Sequence, residues 1–515
     1  ADPAHDTLGY LECRTTSFQN VISVMSFRIL LSATVLILFL MMSDANAQRV
    51  LEVGPGKTYS DPQAALLQAV AGDTVRLFPA SYTGNYYVSN IHGRPGAWIT
   101  FEGTDRSSVI LRGTQSIQMS EISYVHIRRM TIRGQSANGM NIDDGGTFET
   151  PSHHIRFEEL SFEDMNATGN NDMLKLSGID TFEVHQCTFI NGSAGGSGID
   201  MVGCHEGQIH RSRFVNQGNS IQVKGGCRFV TIDKNDFING GDRTLNLGGS
   251  TGLAYFRPAG INYEAADLLV HSNYFSGSQA PVAFVGSRRV QVSNNTFYNP
   301  TKWIFRILQE SQDTSFFLSC ANNIFSNNIV YAQSVDPTVN IGPYTSSASF
   351  DIRNNLWYSA RTSGWRGPAL PVAETNGLYA LNPLLEDIAN GLIRPTAQSP
   401  VGGKGLNYRS IIEDHYNQKY KNPPSIGAVE FQIASVNREE QSSVCAIYPM
   451  PCHDHIIIPC VSLPFRYQLF NLYGQQLIDD ISNTETVMLS ALPAGMYQLL
   501  IDGPTTVSKQ RIIVY

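Results

Sequence analysis

Nine times between Ile132 and Trp357 the chain repeats a short strand-like segment closing on one bulky residue, at Ile132, Phe162, Phe189, Phe214, Phe237, Phe275, Phe297, Val330 and Trp357. The spacings are 30, 27, 25, 23, 38, 22, 33 and 27 residues. Segments such as VHQCTF, IHRSRF, IDKNDF, VSNNTF and IRNNLW are too short to bury an apolar face alone, so each must stack on its neighbours. The repeat therefore demands an all-β parallel solenoid, a β-helix whose coils share one continuous core. Within it an Asn-rich row that includes Asn295 and Asn355 reads as structural turns and ladders.

At 515 residues, 42% hydrophobic, with 44 glycines and 16% charged residues, the chain has ample core material and a turn-rich β composition. A formal net charge of -8 and the absence of any long Lys/Arg run argue against a nucleic-acid binder. Arg28, the apolar run Ile29 to Met42 and Ala45-Asn46-Ala47 read as a secretory signal peptide over residues 25–47, and no later segment has the length of a membrane span. Residues 1–24 precede it and read as an upstream start-site artefact or expression scar. Eight cysteines in an exported chain permit disulfides. Cys204 and Cys227 fall on successive coils, as a bridge or as an unbridged stacked pair. Cys445, Cys452 and Cys460, with His453 and His455, give no zinc-like spacing.

Asp61-Pro62 followed by AALLQAV predicts a short N-terminal helix that caps the open end of the solenoid. The long gap after Phe237 holds an insertion, Ser250 to Ala265, and the gap after Phe297 holds a second, Gln309 to Leu318. Such insertions become loops on one face, where recognition commonly sits. The β-helix domain is predicted over 48–431, a polar linker over 432–443, and a small antiparallel β-sandwich over 444–515, from FRYQLFNLYG, TVMLSALPAGMYQLLI and QRIIVY.

The opening VGPGKTYSDPQAALLQAVAGDTVRLFPASYTG, the coil strings and the closing SIGAVEF resemble right-handed parallel β-helix proteins of the secreted polysaccharide lyase type, the chondroitinase-B and alginate-lyase-like group. AIYPMP, YQLFNLYGQQL, LSALPAGMYQLLI and KQRIIVY resemble the C-terminal sorting domain of type IX secretion, with Met450 where that family usually has Asn. The resemblance implies export through the periplasm to the surface or medium of a Bacteroidetes-like bacterium, by the type IX machinery.

A second set of strands, MLKLSG, GIDMVG, SIQVKGG, TLNLGG, PVAFVG and IFRIL, stacks in register. Alternation sends Leu174, Ile199, Ile221, Leu245, Val282 and Phe305 inward, with Leu176, Met201, Val223, Leu247, Phe284 and Ile307 as a second inward ladder. Lys175, Asp200, Gln222, Asn246, Ala283 and Arg306 then form an outward column, with Ser177, Val202, Lys224 and Gly248 beside it. Gly178, Gly203, Gly225 and Gly249 keep the adjoining surface low enough for a chain to lie across it. Acids and bases cluster on these coils, and Tyr255, Phe256 and Tyr263 in the insertion could stack on sugars.

Eliminative cleavage of a uronate polymer needs a cation for the carboxylate, a base for the adjacent ring proton and an acid for the leaving oxygen. Lys224 is the candidate base, Arg243 and Lys175 the carboxylate clamp, and His205 or Tyr255 the acid. Gln222, Asn246, Arg257, Tyr263 and Arg306 complete the candidate substrate-binding set. The bland alternative is a set of surface salt bridges, Lys224 with Asp200 and Arg243 with Asp242. Asp172 and Asp200 could instead hold calcium; otherwise no cofactor is expected. Competing functions are a glycoside hydrolase using Asp172, Asp200 or Asp242, and a non-catalytic glycan-binding adhesin. The expected partner is an anionic polysaccharide, and the expected state a monomer.

Overall fold

The computed structural model describes residues 48–432 and 447–514, apart from 116, 148–149, 448, 450–451, 460–462, 472–474 and 503–506. The signal segment, the residues before it, most of the linker, Cys445 and Cys460 lie outside the described residues. The chain divides into two compact units, one ending at Phe431 and the other beginning at Gln432.

The first unit is a parallel β-helix in which successive coils feed three sheets in turn. The first sheet has 14 strands, the second 12 and the third 10. One coil shows the plan: His205–His210 lies in the first sheet, Arg213–Val215 in the second and Asn219–Lys224 in the third. The nine bulky residues pair rung by rung along the second sheet, from Ile132 to Trp357. From Phe162 to Phe297 their rings stack with centroids 4.6–5.0 Å apart. This is the rung spacing of a parallel sheet, so identical side chains one coil apart meet face to face.

The corner between the first and second sheets explains the Asn pairs. Its first residue is left-handed on nine consecutive coils, at Arg129, Glu159, Gln186, Arg211, Lys234, Ser272, Asn294, Asn327 and Asn354, with φ between 51° and 57°. Asn tolerates that conformation better than most residues. The next residue points inward, and from Asn235 through Asn273, Asn295 and Asn328 to Asn355 it builds a buried amide ladder. Each Oδ1 accepts the backbone N–H of the preceding rung at 2.9–3.0 Å. Glu374 ends the ladder, its Oε1 accepting from the backbone N and the Nδ2 of Asn355 at 3.0 and 2.9 Å.

The short helix is Pro62–Leu66, with Asp61 accepting from the Ala64 N–H at 2.8 Å and Ala65 and Leu66 buried in the solenoid core. At the other end the structure departs from expectation. The coils stop at the Leu378–Tyr379 strand, and the closing SIGAVEF is not a last coil. The chain instead returns along the outside of the second sheet, where Ile388, Ile393, Ala428 and Val429 pack on Tyr274, Ile238, Tyr298 and Tyr331. The Tyr274 hydroxyl donates to the Ile388 carbonyl at 2.5 Å, and the Asn294 amide donates to the Ser425 carbonyl at 3.1 Å. Outward-facing tyrosines on consecutive rungs leave an apolar stripe that this return segment removes from water.

The second unit carries a four-stranded antiparallel sheet, in the order Gln476–Ser482, Phe465–Phe470, Gly495–Asp502 and Val507–Val514, and a two-stranded sheet of His455–Ile457 with Thr486–Met488. Ile456, Phe465, Leu469, Val487, Leu499, Ile501 and Ile512 form its own core. Among the described residues no helix is long and apolar enough to cross a membrane.

Candidate functional site

Both inward ladders expected on the third sheet are buried. Between them the outward column runs Asn141, Lys175, Asp200, Gln222, Asn246, Ala283, Arg306 and Asn340, paired rung by rung. The neighbouring column breaks after Lys224, because a bulge pairs Gly248 with Val223 instead.

Asp172, Lys175, Asp200 and Lys224 come together on this face. Both carboxylates are fully buried, while Lys175 and Lys224 keep 25% and 15% of their side chains exposed. Lys175 Nζ lies 2.7 Å from Asp200 and 3.4 Å from Asp172, and Lys224 Nζ lies 2.8 Å from Asp200. Asp172 Oδ1 also accepts the Ser197 N–H at 2.8 Å. Burial, then the charge of Asp200, raises the pKa of the Asp172 carboxyl above the ordinary value. Burial acts in the same sense on Asp200, but Lys224 and Lys175 outweigh it and hold that carboxyl below normal. Burial opposes the charge on Lys175, yet its two carboxylates prevail and raise its pKa. The arrangement props two ammonium groups toward solvent on anionic footings. The oxygen atoms proposed for calcium meet lysine ammoniums rather than further oxygen ligands.

Farther along the strip, Ser197 Oγ accepts from Gln222 at 2.7 Å, Gln222 from Asn246 at 3.4 Å, and Asn246 from Arg243 Nη1 at 3.2 Å. Arg243 pairs with Glu310 of the second insertion at 2.6 Å, not with Asp242, which accepts from Gln279 at 2.9 Å. Arg306 donates to Asn340 at 2.9 Å and lies 4.4 Å over the ring of Trp303, which Lys302 approaches to 4.0 Å. Burial, then the charge of Arg243, lowers the Arg306 pKa. Sequence alternation misses Trp303 because it would put the ring inside with Phe305; the register shifts between these two residues and leaves Trp303 partly exposed.

The insertions meet over the same face. The buried Glu264 accepts from the Gly225 N–H at 3.1 Å, the Thr251 hydroxyl at 2.8 Å and the Ser311 hydroxyl at 2.6 Å, and Phe256 packs on Phe317. The low glycine track is covered by the protein itself. Arg257 crosses Gly178 and Gly203 to form a two-pronged ion pair with the buried Asp144, and a Cβ on Gly203 would come within 2.6 Å of Arg257. This role was illegible from spacing, since Arg257 and Asp144 lie 113 residues apart. His205 is drawn away as well: it lies in the first sheet, with Nδ1 2.8 Å from Asp180 and Nε2 3.3 Å from the Gly226 carbonyl. Tyr255 is open to solvent, whereas Tyr263 is half-buried, its pKa raised by burial. Cys204 and Cys227 stack unbridged, the Cys204 N–H donating to Cys227 Sγ at 3.1 Å.

A groove of about 710 Å³ lies elsewhere, on the outer face of the first sheet. Trp98, Arg156, Glu183, Gln208, Asp233 and Lys234 line it, with Ile412 and Glu413 of the return segment as a wall. The coil strings carried this face too, in HIR, IRFE, FEVH and QIH read at period two.

Residues 446–515 match the family model described as the secretion system C-terminal sorting domain. The chain therefore carries an export signal for the cell surface or medium. No curated protein sequence matches the chain significantly. Among solved structures, the chain is similar to an alginate lyase from Paenibacillus sp. str. FPU-7, with 16% identity and a TM-score of 0.38 over 65% of this chain and 99% of that one. The PL6 family alginate lyase AlyGC aligns at 12% identity and a TM-score of 0.38, over 75% of this chain and 59% of its own. The catalytic unit of a GH87 alpha-1,3-glucanase from Streptomyces thermodiastaticus strain HF3-3 aligns at 13% identity and a TM-score of 0.35, over 64% and 68%.

Proposed function

We propose that this exported β-helix protein acts on an acidic, uronate-containing polysaccharide at the outer face of the third sheet, cleaving it by β-elimination. The observation that carries the reading is the charge of the strip. Lys175, Lys224, Arg243, Lys302 and Arg306 stand against Asp200, Asp242 and Glu310, while Asp172 is displaced toward its neutral form. On a chain of net charge -8 this is a local concentration of cations beside a partly exposed indole. Such a surface suits a carboxylate-bearing sugar: ammonium and guanidinium groups neutralise the uronate, and Trp303 and Tyr255 offer ring faces.

In this reading Lys224 takes the ring proton, Lys175 and Arg243 hold the carboxylate, and Tyr255 protonates the leaving oxygen. His205 is the weaker acid because both of its ring nitrogens are already engaged by Asp180 and Gly226. Gln222, Asn246 and Arg306 would position the sugar. To act as base Lys224 must first leave Asp200 and give its own proton to solvent, becoming the neutral amine, while Lys175, 2.7 Å from that carboxylate, keeps it neutralised. A hydrolase using Asp172 and Asp200 is disfavoured because neither side chain reaches solvent.

Ultraviolet absorbance on a panel of uronate polymers, with and without chelator, tests the proposal. Unsaturated product is expected, and Lys224→Ala should abolish it while leaving polymer binding within a few-fold. New reducing ends without absorbance would indicate hydrolysis, and binding without either would indicate an adhesin.

A further inference from the structure

On the first sheet, away from the proposed glycan strip, we propose that Glu183, His185 and His210 bind one divalent transition-metal ion of the zinc class. Glu183 and His185 stand two residues apart on the Ile179–His185 strand and so share its outer face, and His185 pairs directly with His210 on the next coil. One ligand atom from each of the three lies within 4.8 Å of the others. His210 Nε2 is already 3.0 Å from Glu183 Oε1, close to the separation of about 3.3 Å that two ligands adopt around tetrahedral zinc. The two imidazoles stack at 4.5 Å with only 22° between their planes.

The surroundings favour a ligand role over a closed hydrogen-bond network. His185 Nε2 is buried and has no hydrogen-bond partner. Its Nδ1 lies 3.6 Å from Glu158 Oε1, whose other oxygen is 2.9 Å from His126 Nε2. At 3.6 Å the carboxylate acts by charge rather than by a hydrogen bond, favouring a proton on Nδ1 and so a lone pair on Nε2, the atom without a partner. Arg156 lies 3.1 Å from Glu183 Oε2 and fixes that carboxylate, leaving Oε1 toward the histidines. Two imidazoles and one carboxylate are a donor set for zinc, cobalt, nickel or copper, whereas calcium and magnesium prefer oxygen ligands throughout. Three protein ligands leave a fourth position for water or another ligand. Glu183 also lines the 710 Å³ groove, so that open position would border it, on a different sheet from the proposed glycan strip.

The test uses the full chain, without a polyhistidine tag, stripped of metal and titrated with Zn2+ by calorimetry and with Co2+ by visible absorption. One equivalent of either ion is expected, the Co2+ bands disappearing when Zn2+ is added. His185→Ala and His210→Ala should each weaken binding by more than tenfold, and Glu158→Gln by about 10–100-fold as a positioning residue. His455→Ala, in the sorting domain, should leave the stoichiometry unchanged. Circular dichroism of Glu183→Gln, which keeps size and removes charge, checks that lost binding is not lost folding. Absence of binding by the parent chain, or full binding by the His185→Ala/His210→Ala double variant, would overturn the proposal.

Discussion

At Asp200 two ammonium groups meet a carboxylate that has no access to water, and at Asp172 one ammonium shares a second. The two acids lie in one cluster yet respond oppositely to pH. Asp200, with its folded pKa below the unfolded value, contributes stability that is present above the unfolded pKa and lost as pH falls through the folded one. Asp172, with its folded pKa raised, contributes stability that is complete below the unfolded pKa and lost as pH rises through the folded value. Asp200→Asn takes the carboxylate from Lys224 and leaves Lys175 only Asp172 at 3.4 Å, and is expected to cost about 3 kcal/mol, whereas Asp172→Asn keeps an acceptor for Ser197 and should cost less than about 1 kcal/mol. Urea denaturation of the two variants at neutral pH checks the order; equal losses would refute it. The neutral mimic at position 172 should also sharpen the acid loss, because the opposing contribution is gone.

The amide ladder and the phenyl stack run along adjacent edges of one corner, and each makes a coil dependent on the next. Asn295 is the middle of its ladder: its Oδ1 accepts from Asn273, its Nδ2 donates to the Val270 and Ser293 carbonyls, and its N–H donates to Asn328. Asn295→Ala leaves buried backbone groups unsatisfied and should lower stability by about 2–3 kcal/mol. Phe237→Ala opens a cavity between Phe214 and Phe275 and should cost about 3–5 kcal/mol. Thermal midpoints of both variants read the effect, and a drop confined to one would show that the stack and the ladder are not coupled. These features were legible in sequence because they obey the coil period: the bulky residue stands second in each second-sheet strand, and the inward Asn follows the left-handed corner. What was illegible does not repeat. Arg257 meets Asp144 across 113 residues, Trp303 turns on a local register shift, and the return segment covers tyrosines from coils far behind it. The Glu183–His185–His210 cluster obeys period two in FEVH and QIH, but spacing alone does not show that these strands share a sheet in which His185 pairs with His210.

At the scale of the whole molecule, net charge and the cationic strip act on a polyanion in opposite senses. A chain of net charge -8 repels a polyanion at long range, whereas the strip from Lys175 to Arg306 attracts it at contact. Salt weakens both, but not equally. The diffuse repulsion acts over more than a Debye length of about 8 Å and is screened first, while partly buried cations such as Lys224 and Arg243 are screened less. Affinity for a uronate polymer should therefore hold or rise slightly from very low salt to about 0.1 M, then fall as the contacts themselves are screened. Arg306→Ala should steepen nothing at low salt yet lower the affinity at about 0.1 M by roughly tenfold, the loss of one charge-assisted contact. The same titration on residues 48–431 alone should superimpose on that of the full chain, because the solenoid core and the core of the sorting domain are separate clusters. A monotonic fall in affinity from the lowest salt would place the polymer on some other surface. A different curve for the shortened chain would mean that residues 432–515 take part in binding as well as in export.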